Sequence, residues 1–248
     1  MGKPVERIAS LARAAYGVIA WLAFLAVALP LVALVAILPG ETRRRAATRQ
    51  AAWLVLSLMA SRPRVDGLQH LPAAPCIVVA NHASYLDGMV LTAALPPRFG
   101  FVIKREMTRV PLAYFMLRRL GSQFVERFDT RRGAADARRI LALAESRHSL
   151  AFFPEGTFRP EPGLRRFQSG AFAAAVRGDL PVVPVVIRGT RHMLAAGQLL
   201  PRPGRLEVIV KPAVRHNGED NAVETLRVTC RARILEDLAE PDLAVQHP

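Results

Sequence analysis

The sequence predicts an α/β fold, a mixed and largely parallel sheet flanked by helices, with an N-terminal membrane-embedded helical segment before it. From Val65 onward, short apolar runs alternate with helical patterns, which is typical of strands joined by crossover helices. Upstream, Tyr16–Leu38 carries no charged residue over 23 positions. Two short polar motifs each follow an apolar run directly, and strand ends are where α/β domains place their sites.

The uncharged run Tyr16–Leu38 is long enough to cross a bilayer. As a helix it would measure about 34 Å, against a hydrocarbon core of about 30 Å. Pro30 divides it and would either kink one spanning helix or shape a shallow re-entrant segment, and a buried soluble helix is the third alternative. The next apolar run, 46–60, is too short to span comfortably, and its flanking arginines fit an interfacial helix. We therefore assign residues 1–62 to membrane-associated helices and 63–248 to the main domain.

The main domain contains six predicted strands and five predicted helices. Apolar runs bounded by turn residues predict the strands Cys76–Ala80, Phe99–Lys104, Gln123–Glu126, Leu150–Phe153, Val182–Ile187 and Leu206–Lys211. Helical patterns predict the helices Ser84–Leu95, Pro111–Leu120, Gly133–Ser146, Ser169–Arg177 and Val223–Ala239. Pro181 and Pro184 interrupt an apolar strand pattern, which indicates an edge strand, a bulge or a substrate-lined wall.

The formal net charge of +14 implies an anionic partner. A phosphate-bearing substrate, an anionic membrane surface and nucleic acid all qualify, but nucleic acid fits worst because the chain has no finger, basic zipper or aromatic-interleaved basic patch. The two cysteines, Cys76 and Cys230, predict no disulfide framework and a reducing compartment. The histidine and cysteine spacings match no metal site, so we predict no metal.

The stretch A-N-H-A-S-Y-L-D-G, residues 80–88, lies between a predicted strand and a predicted helix. In one continuous helix, His82 and Asp87 would point about 140° apart, so their contact needs His82 in the loop and Asp87 in the first helical turn. The pattern from Ser84 to Asp87 resembles a capping box and would place the carboxylate there. That carboxylate could fix the imidazole tautomer and leave the other nitrogen as a base. Alternatively, these residues only cap a helix.

A second motif, F-F-P-E-G-T at 152–157, also follows an apolar strand pattern. The two motifs, about 70 residues apart, together resemble the glycerolipid acyltransferases, specifically the lysophosphatidic acid (1-acylglycerol-3-phosphate) O-acyltransferase family. The resemblance runs from about Val65 to Lys211 and includes two weaker blocks, 101–127 and 167–185. It implies transfer of a fatty acyl group from acyl-CoA or acyl-carrier protein to a lysophospholipid hydroxyl, without a cofactor. The most direct acceptor is lysophosphatidic acid, which would give phosphatidic acid.

The resemblance also implies roles for individual residues. His82 would be the general base that Asp87 orients, and Asn81 would orient the turn or donate a hydrogen bond. Arg127 ends a strand where the family contacts the acceptor phosphate, and a planar guanidinium suits two phosphate oxygens. Lys104 is a further phosphate candidate. The alternative for Arg127 is a surface arginine paired with the glutamate before it.

The second motif is expected to complete the acceptor site. Gly156 permits a tight turn whose backbone N–H groups could meet phosphate, and Thr157 follows it. Glu155 would bond acceptor hydroxyls or orient a basic partner, unless it is simply a helix-start carboxylate. In the family, arginine often follows this threonine directly. Here Phe158 intervenes, and Arg159 is the substitute candidate for that contact.

Two rivals to the lysophosphatidic acid acceptor follow from the same residues. One is acyl transfer to another lysolipid, such as an amino-acid-containing one, which the altered residues after Thr157 favour. The other is a non-catalytic lipid-binding protein, for which a paired His82 and Asp87 would have no purpose. The expected location is a cytoplasmic or inner membrane with the main domain on its cytoplasmic face, because thioester donors and reduced cysteines are found there.

Overall fold

The computed structural model describes residues 3–126 and 130–244, and it confirms the predicted fold class. Its centre is a seven-stranded sheet in the order β1-β7-β6-β2-β5-β3-β4. All neighbouring strands run parallel except β6 and β7, which are antiparallel. The strands are β1 (Pro63–Asp66), β2 (Ile77–Ala80), β3 (Gly100–Lys104), β4 (Gln123–Val125), β5 (Leu150–Phe152), β6 (Val182–Arg188) and β7 (Leu206–Val210).

Helices cover both faces of this sheet and form two separate cores. They are α1 (Lys3–Ile37), α2 (Glu41–Leu58), α3 (Asp87–Ala94), α4 (Pro111–Arg119), α5 (Thr130–Glu145), α6 (Gly170–Arg177), α7 (Thr190–Met193) and α8 (Ala222–Leu238). Along β2, Val78 and Ala80 enter the core under α2 and α3, whereas Ile77 and Val79 enter the core under α5, α6 and α8. Because β2 is buried on both faces, its sequence is a continuous apolar run rather than an alternating one.

The carboxyl ends of β2, β3, β4, β5 and β6 meet at one edge of the sheet, because these five strands run in the same direction. Both polar motifs follow strands of this group. The edge is therefore where their side chains converge, as in other open α/β sheets.

Strand β1 was not predicted from the sequence, and of the alternatives given for the prolines of β6 the edge strand is wrong. Strand β1, at the edge of the sheet, reads Pro-Arg-Val-Asp and has a single apolar side chain besides its proline, which gives no apolar run to detect. Strand β6 lies inside the sheet, so the edge interpretation of Pro184 is wrong. Next to Pro184, the antiparallel pairing of β6 with β7 and the chain after it contains a bulge. Val185 pairs with Val210, whereas Val182 pairs with Val214, so the second strand has one extra residue between the two pairs. A bulge suits this position because proline has no N–H to donate.

Helix α1 runs without a break through Pro30 and is the most apolar helix described. Its part Glu6–Ile37 is long and apolar enough to cross a membrane by length and composition, and only 11% of its most apolar window is buried inside the protein. The helix is nevertheless hydrogen-bonded to its surroundings. The Tyr16 hydroxyl donates to the Met59 carbonyl at the end of α2 (2.9 Å). In the main domain, the Leu199 carbonyl accepts the Trp21 indole N–H (2.7 Å), and Arg119 donates to the Ala36 carbonyl (2.6 Å).

Helix α2 begins earlier than the apolar run suggested and is tied to the main domain. Its buried residues join the core under α3, and its arginines donate to backbone carbonyls: Arg44 to Arg119, Arg45 to Leu120 and Arg49 to Ala93. These arginines therefore attach the helix to the domain. The division of the chain at residue 62 stays a prediction.

Candidate active site

His82 and Asp87 meet at the corner between β2 and α3. His82 lies in the loop after β2, and Asp87 is the first residue of α3. The imidazole Nδ1 and the carboxylate Oδ2 are 2.8 Å apart. The imidazole retains 18% side-chain exposure, whereas the carboxylate is fully buried. The geometry required for an oriented histidine is therefore present, and the catalytic roles of the pair stay a prediction.

One oxygen of Asp87 organises the histidine loop, residues 81–86, which joins β2 to α3. Besides the imidazole, Oδ2 accepts the backbone N–H groups of Ala83 (2.6 Å) and Ser84 (2.8 Å). An acceptor facing Nδ1 places the ring proton on Nδ1, so Nε2 is left with the lone pair that a base needs. Within the described part of the chain, Nε2 forms no hydrogen bond. The Asp87 carboxylate thus fixes the tautomer of His82, and the two backbone N–H groups hold that carboxylate in place.

The capping box predicted for this corner forms in altered form. Helix α3 begins at Asp87, later than the predicted start at Ser84. The carboxylate does turn back to the Ser84 N–H, as a capping box requires. The Ser84 hydroxyl, however, accepts the Leu86 N–H (3.0 Å) and donates to the Leu194 carbonyl (2.6 Å). Ser84 therefore joins the histidine loop to the segment after β6.

Two phenylalanine rings enclose the His82 imidazole. Phe153 stacks on it with centroids 4.3 Å apart, and Phe158 meets it edge-on at 4.5 Å. Phe158 also contacts Tyr85 edge-on at 4.8 Å. These contacts restrict the orientation of the ring and give it an apolar surrounding. In the sequence Phe158 stands only as an intervening residue, because nothing local shows that it reaches the imidazole.

Glu155 clamps two loops through its two carboxylate oxygens. Oε1 accepts the His82 backbone N–H (2.6 Å), and Oε2 accepts the Arg165 backbone N–H (3.0 Å). Burial raises the pKa of Glu155 from its ordinary value of 4.5 to about 7, and the two N–H donors oppose this shift. The structure thus places Glu155 against the backbone of the histidine loop. Its predicted contact with an acceptor hydroxyl has no support in this arrangement and stays a prediction.

The raised pKa of Glu155 predicts a stability that depends on pH. Between about pH 4.5 and pH 7 the folded protein retains a proton that the unfolded chain has released, so the free energy of unfolding falls as pH rises through this window. The total loss is on the order of 3 kcal/mol. Glu155→Gln removes this titration. Thermal unfolding of both proteins in detergent between pH 4.5 and pH 8 should give a stability difference that changes with pH.

A matched control for this measurement is Glu161→Gln, because Glu161 is an exposed glutamate in the same loop region. The difference in stability between Glu161→Gln and the wild type should stay constant over the same pH range. Parallel curves for the wild type and Glu155→Gln would contradict the assignment of a raised pKa to the buried carboxyl.

Asn81 attaches the histidine loop to β6. Its side-chain N–H donates to the Ile187 carbonyl (2.9 Å), and its side-chain oxygen accepts the Ile187 N–H (2.7 Å). The residue is 2% exposed, so its amide is used within the protein. This arrangement fits the orienting role that was one of the two predicted for Asn81.

The predicted phosphate contacts lie at the carboxyl ends of β3 and β4. Lys104 ends β3 and is exposed. Arg127 lies outside the described residues, which stop at Glu126 on this side. The Glu126 N–H donates to Asp136 Oδ2 (2.9 Å), and Arg105 donates to both oxygens of Asp136 (2.8 and 2.6 Å). The buried Asp136 of α5, which the sequence analysis missed, therefore holds the strand end that leads to Arg127.

The turn after β5 has the predicted glycine conformation. Gly156 has φ of +81°, which favours glycine, and its N–H donates to the Phe153 carbonyl (3.0 Å). That N–H therefore closes the turn. Thr157 and Arg159 are exposed, and the Arg159 carbonyl accepts a hydrogen bond from Arg191 (2.6 Å). The structure thus brings the second motif to His82 through Phe153 and Glu155, and Phe158 follows directly after the motif.

Comparisons with known proteins agree with this arrangement. A solved structure of the 1-acyl-sn-glycerophosphate (LPA) acyltransferase PlsC from Thermotoga maritima matches with a TM-score of 0.73 and 20% identity, over 93% of this chain and 96% of that one, which supports the fold. A 1-acyl-sn-glycerol-3-phosphate acyltransferase of Pseudomonas aeruginosa is 29% identical over 82% of this chain and 81% of its own length. A lyso-ornithine lipid O-acyltransferase of the same organism is 35% identical over 60% of this chain and 57% of its own length.

The share of each curated relative that the chain covers varies. The chain spans 39% of the length of a 1-acyl-sn-glycerol-3-phosphate acyltransferase of Brassica napus chloroplasts and 81% of the length of the Pseudomonas aeruginosa one. The acyltransferase family model matches residues 62–188, which include both polar motifs and all strands from β1 to β6. This match covers half of the chain and contains the corner formed by His82 and Asp87. The chain therefore belongs to the acyltransferase family, in its glycerolipid branch.

Proposed function

We propose that the protein transfers a fatty acyl group from acyl-CoA or acyl-carrier protein to the free hydroxyl of lysophosphatidic acid, which gives phosphatidic acid. The observation that carries the proposal is the Asp87–His82 pair, with Nε2 free of bonds to the described residues and phenylalanine rings around it. Binding alone would not need an oriented base. The large share of relatives named 1-acyl-sn-glycerol-3-phosphate acyltransferases supports the same acceptor.

The proposed reaction is a direct transfer without a covalent enzyme intermediate. Nε2 of His82 takes the proton of the acceptor hydroxyl while its oxygen bonds to the thioester carbonyl carbon. The carbon–sulfur bond then breaks, and the proton passes from His82 to the departing thiolate, so one ester and one thiol are formed. Asp87 stabilises the imidazolium during the transfer. The residues at the ends of β3 and β4, Lys104 and Arg127, hold the acceptor phosphate.

The product lipid tests this proposal most directly. The purified protein is given acyl-CoA, or acyl-carrier protein in a parallel reaction, with an equimolar pool of lysophosphatidic acid, lysophosphatidylcholine and lyso-ornithine lipid. Mass spectrometry of the lipids should find phosphatidic acid as the main product, with an equal amount of thiol released. Dominant acylation of another lysolipid, or no acylated lipid with either donor, would contradict it.

An amino-acid-containing lysolipid is the second candidate acceptor. Two observations favour it: one relative is a lyso-ornithine lipid O-acyltransferase, and Phe158 packs on His82 and Tyr85 at the position where arginine is common in the family. An aromatic side chain there offers the acceptor no cationic group. The acceptor would then depend less on phosphate contacts.

Arg127→Ala separates the two acceptors. If lysophosphatidic acid is the acceptor, losing one charge-assisted phosphate contact should raise its KM about tenfold or more. Acylation of lyso-ornithine lipid, which has no phosphate, should change less than twofold. Initial rates at varied acceptor concentration measure both effects, and the exposed Arg138→Ala on α5 is the matched control. Equal effects on both acceptors would contradict a phosphate role for Arg127.

Membrane association follows from α1, which is long and apolar enough to enter a bilayer. We propose that the main domain lies on the cytoplasmic face, since its thioester donors are found there. The acceptor would then reach His82 from the lipid surface.

A further inference from the structure

A cleft of about 510 Å³ lies beside the catalytic corner, on the side of β6. It begins at Ala83, the neighbour of His82, and continues along the segment that follows β6, with Arg188, Thr190, Gln198 and Arg202 in its wall. The mechanism described above uses none of these four residues. The predicted acceptor contacts at β3 and β4 lie on the other side of His82 in the sheet order.

The wall of this cleft is basic. Arg191 is neutralised by Glu240, through two ion-pair contacts of 2.9 Å, and this glutamate is also part of the wall. Arg188 has one longer contact of 3.3 Å to Glu207, which lies outside the wall. Among the described residues, the Arg202 guanidinium has no hydrogen bond or ion pair. Excess positive charge therefore faces the cleft, and it favours an anionic occupant.

Three buried polar atoms at the cleft have no partner among the described residues. They are the Thr190 hydroxyl oxygen, the Arg188 Nε and the Gln198 side-chain oxygen. Thr190 itself is only 1% exposed. Buried polar groups are normally hydrogen-bonded, so a polar cavity that contains several unpaired ones is suited to a ligand. All three atoms lie just behind the accessible surface of the wall, so an occupant engages them only when these side chains turn toward the cleft. The hydroxyl and Nε would then donate to phosphate oxygens, and the Gln198 oxygen would accept an amide N–H.

A second cleft of about 600 Å³ shares Gln198 and Arg202 with the first and extends to α1, where Ser10 and Arg13 line it. The two clefts together lead from the catalytic corner past Arg202 to another arginine. An occupant that fills both would meet Arg188 in the first cleft, Arg202 where the two clefts join and Arg13 in the second.

We propose that this cleft binds the phosphorylated pantetheine of the acyl donor. Pantetheine provides amide N–H groups and ends in a thioester, and its phosphate is common to CoA and to acyl-carrier protein. The position fits the chemistry, because the two substrates then approach His82 from opposite sides, the acceptor from β3 and β4 and the donor from β6. The identification of the occupant as a donor rests on the proposed function, whereas the anionic character of the site does not.

Donor kinetics of the full-length protein test the proposal. Arg188→Gln and Arg202→Gln should each raise the KM for acyl-CoA and for acyl-carrier protein about tenfold, while the KM for the lysolipid changes less than twofold. The N-acetylcysteamine thioester of the same acyl chain has no phosphate, and its KM should be unaffected. Arg138→Gln on α5 is the matched control. A larger effect on the lysolipid, or an equal effect on the N-acetylcysteamine thioester, would overturn the proposal.

Two further measurements keep the test decisive. Calorimetric titration of CoA into His82→Ala measures binding without turnover, so the cleft is tested even if the proposed reaction is wrong. Arg188→Gln and Arg202→Gln, each added to His82→Ala, should weaken this binding about tenfold, and unchanged binding would overturn the assignment. Thr190→Val, which leaves every charge in place, should weaken it severalfold. Kinetics in phosphatidylcholine with and without phosphatidylglycerol identify the source of the phosphate, since an Arg202→Gln effect seen only with the anionic lipid would overturn a donor site.

Discussion

His82→Ala should lower the turnover number for acyl transfer by about 10²–10⁴-fold, because a positioned general base contributes a factor of this size. The His82 side chain is 18% exposed. Its removal takes a hydrogen-bond donor only from Asp87, and Asp87 keeps the two backbone N–H donors of Ala83 and Ser84. Folding and membrane association should therefore be retained. Thiol release and product formation in single-turnover experiments measure the loss, and thermal unfolding measures the fold.

His148→Ala is the matched control for this experiment, since His148 is exposed and precedes β5 at the opposite end of that strand. It should have wild-type turnover. A purified His82→Ala protein that still transfers acyl groups at more than a tenth of the wild-type rate would remove the general-base assignment.

Asp87→Asn should lower the turnover number by about 10²–10⁴-fold while the protein remains folded. The asparagine oxygen can replace Oδ2 and keep the three hydrogen bonds, but a neutral amide does not stabilise the imidazolium that forms during transfer. Its NH₂ group would occupy the place of Oδ1, a buried atom without a hydrogen-bond partner among the described residues. That unsatisfied donor should cost about 1–3 kcal/mol of stability. Single-turnover rates and unfolding in denaturant measure the two effects.

Asp87→Ala distinguishes orientation from charge. It removes all three hydrogen bonds, so the loss of stability should exceed that of Asp87→Asn, with a similar or larger loss of rate. The exposed Asp220→Asn serves as the control and should change neither quantity. Wild-type turnover in Asp87→Asn would contradict a role for the carboxylate charge and leave it as a structural residue only.

The fold was largely predictable because its central strands are buried on both faces. Such strands appear as continuous apolar runs, and β2, β5 and β6 were each located within one residue at either end. Strand β1 was missed, since an edge strand with charged side chains leaves no apolar run. The start of α3 was placed at Ser84 because the capping pattern is present, although the helix begins at Asp87.

The site was predictable only where its parts are close in sequence. His82 and Asp87 lie within six residues, so loop and helix geometry alone brings them together. The contact of Asn81 with Ile187 and that of Glu155 with His82 join groups 106 and 73 residues apart, and the partners are backbone groups, which leave no side-chain pattern to read. Phe158 likewise reaches the imidazole only because β5 and β2 are neighbours.

The hydrogen bonds between Asn81 and Ile187 have a consequence for protein synthesis. Their partner strand is made 106 residues after the asparagine. At about 5–20 residues per second, the ribosome needs roughly 5 to 20 s for this interval. A nascent chain therefore exposes its apolar first helix and its histidine motif well before the loop around that histidine acquires its anchor. We expect ribosome-bound chains that end before residue 187 to reach the bilayer while still inert toward thioesters.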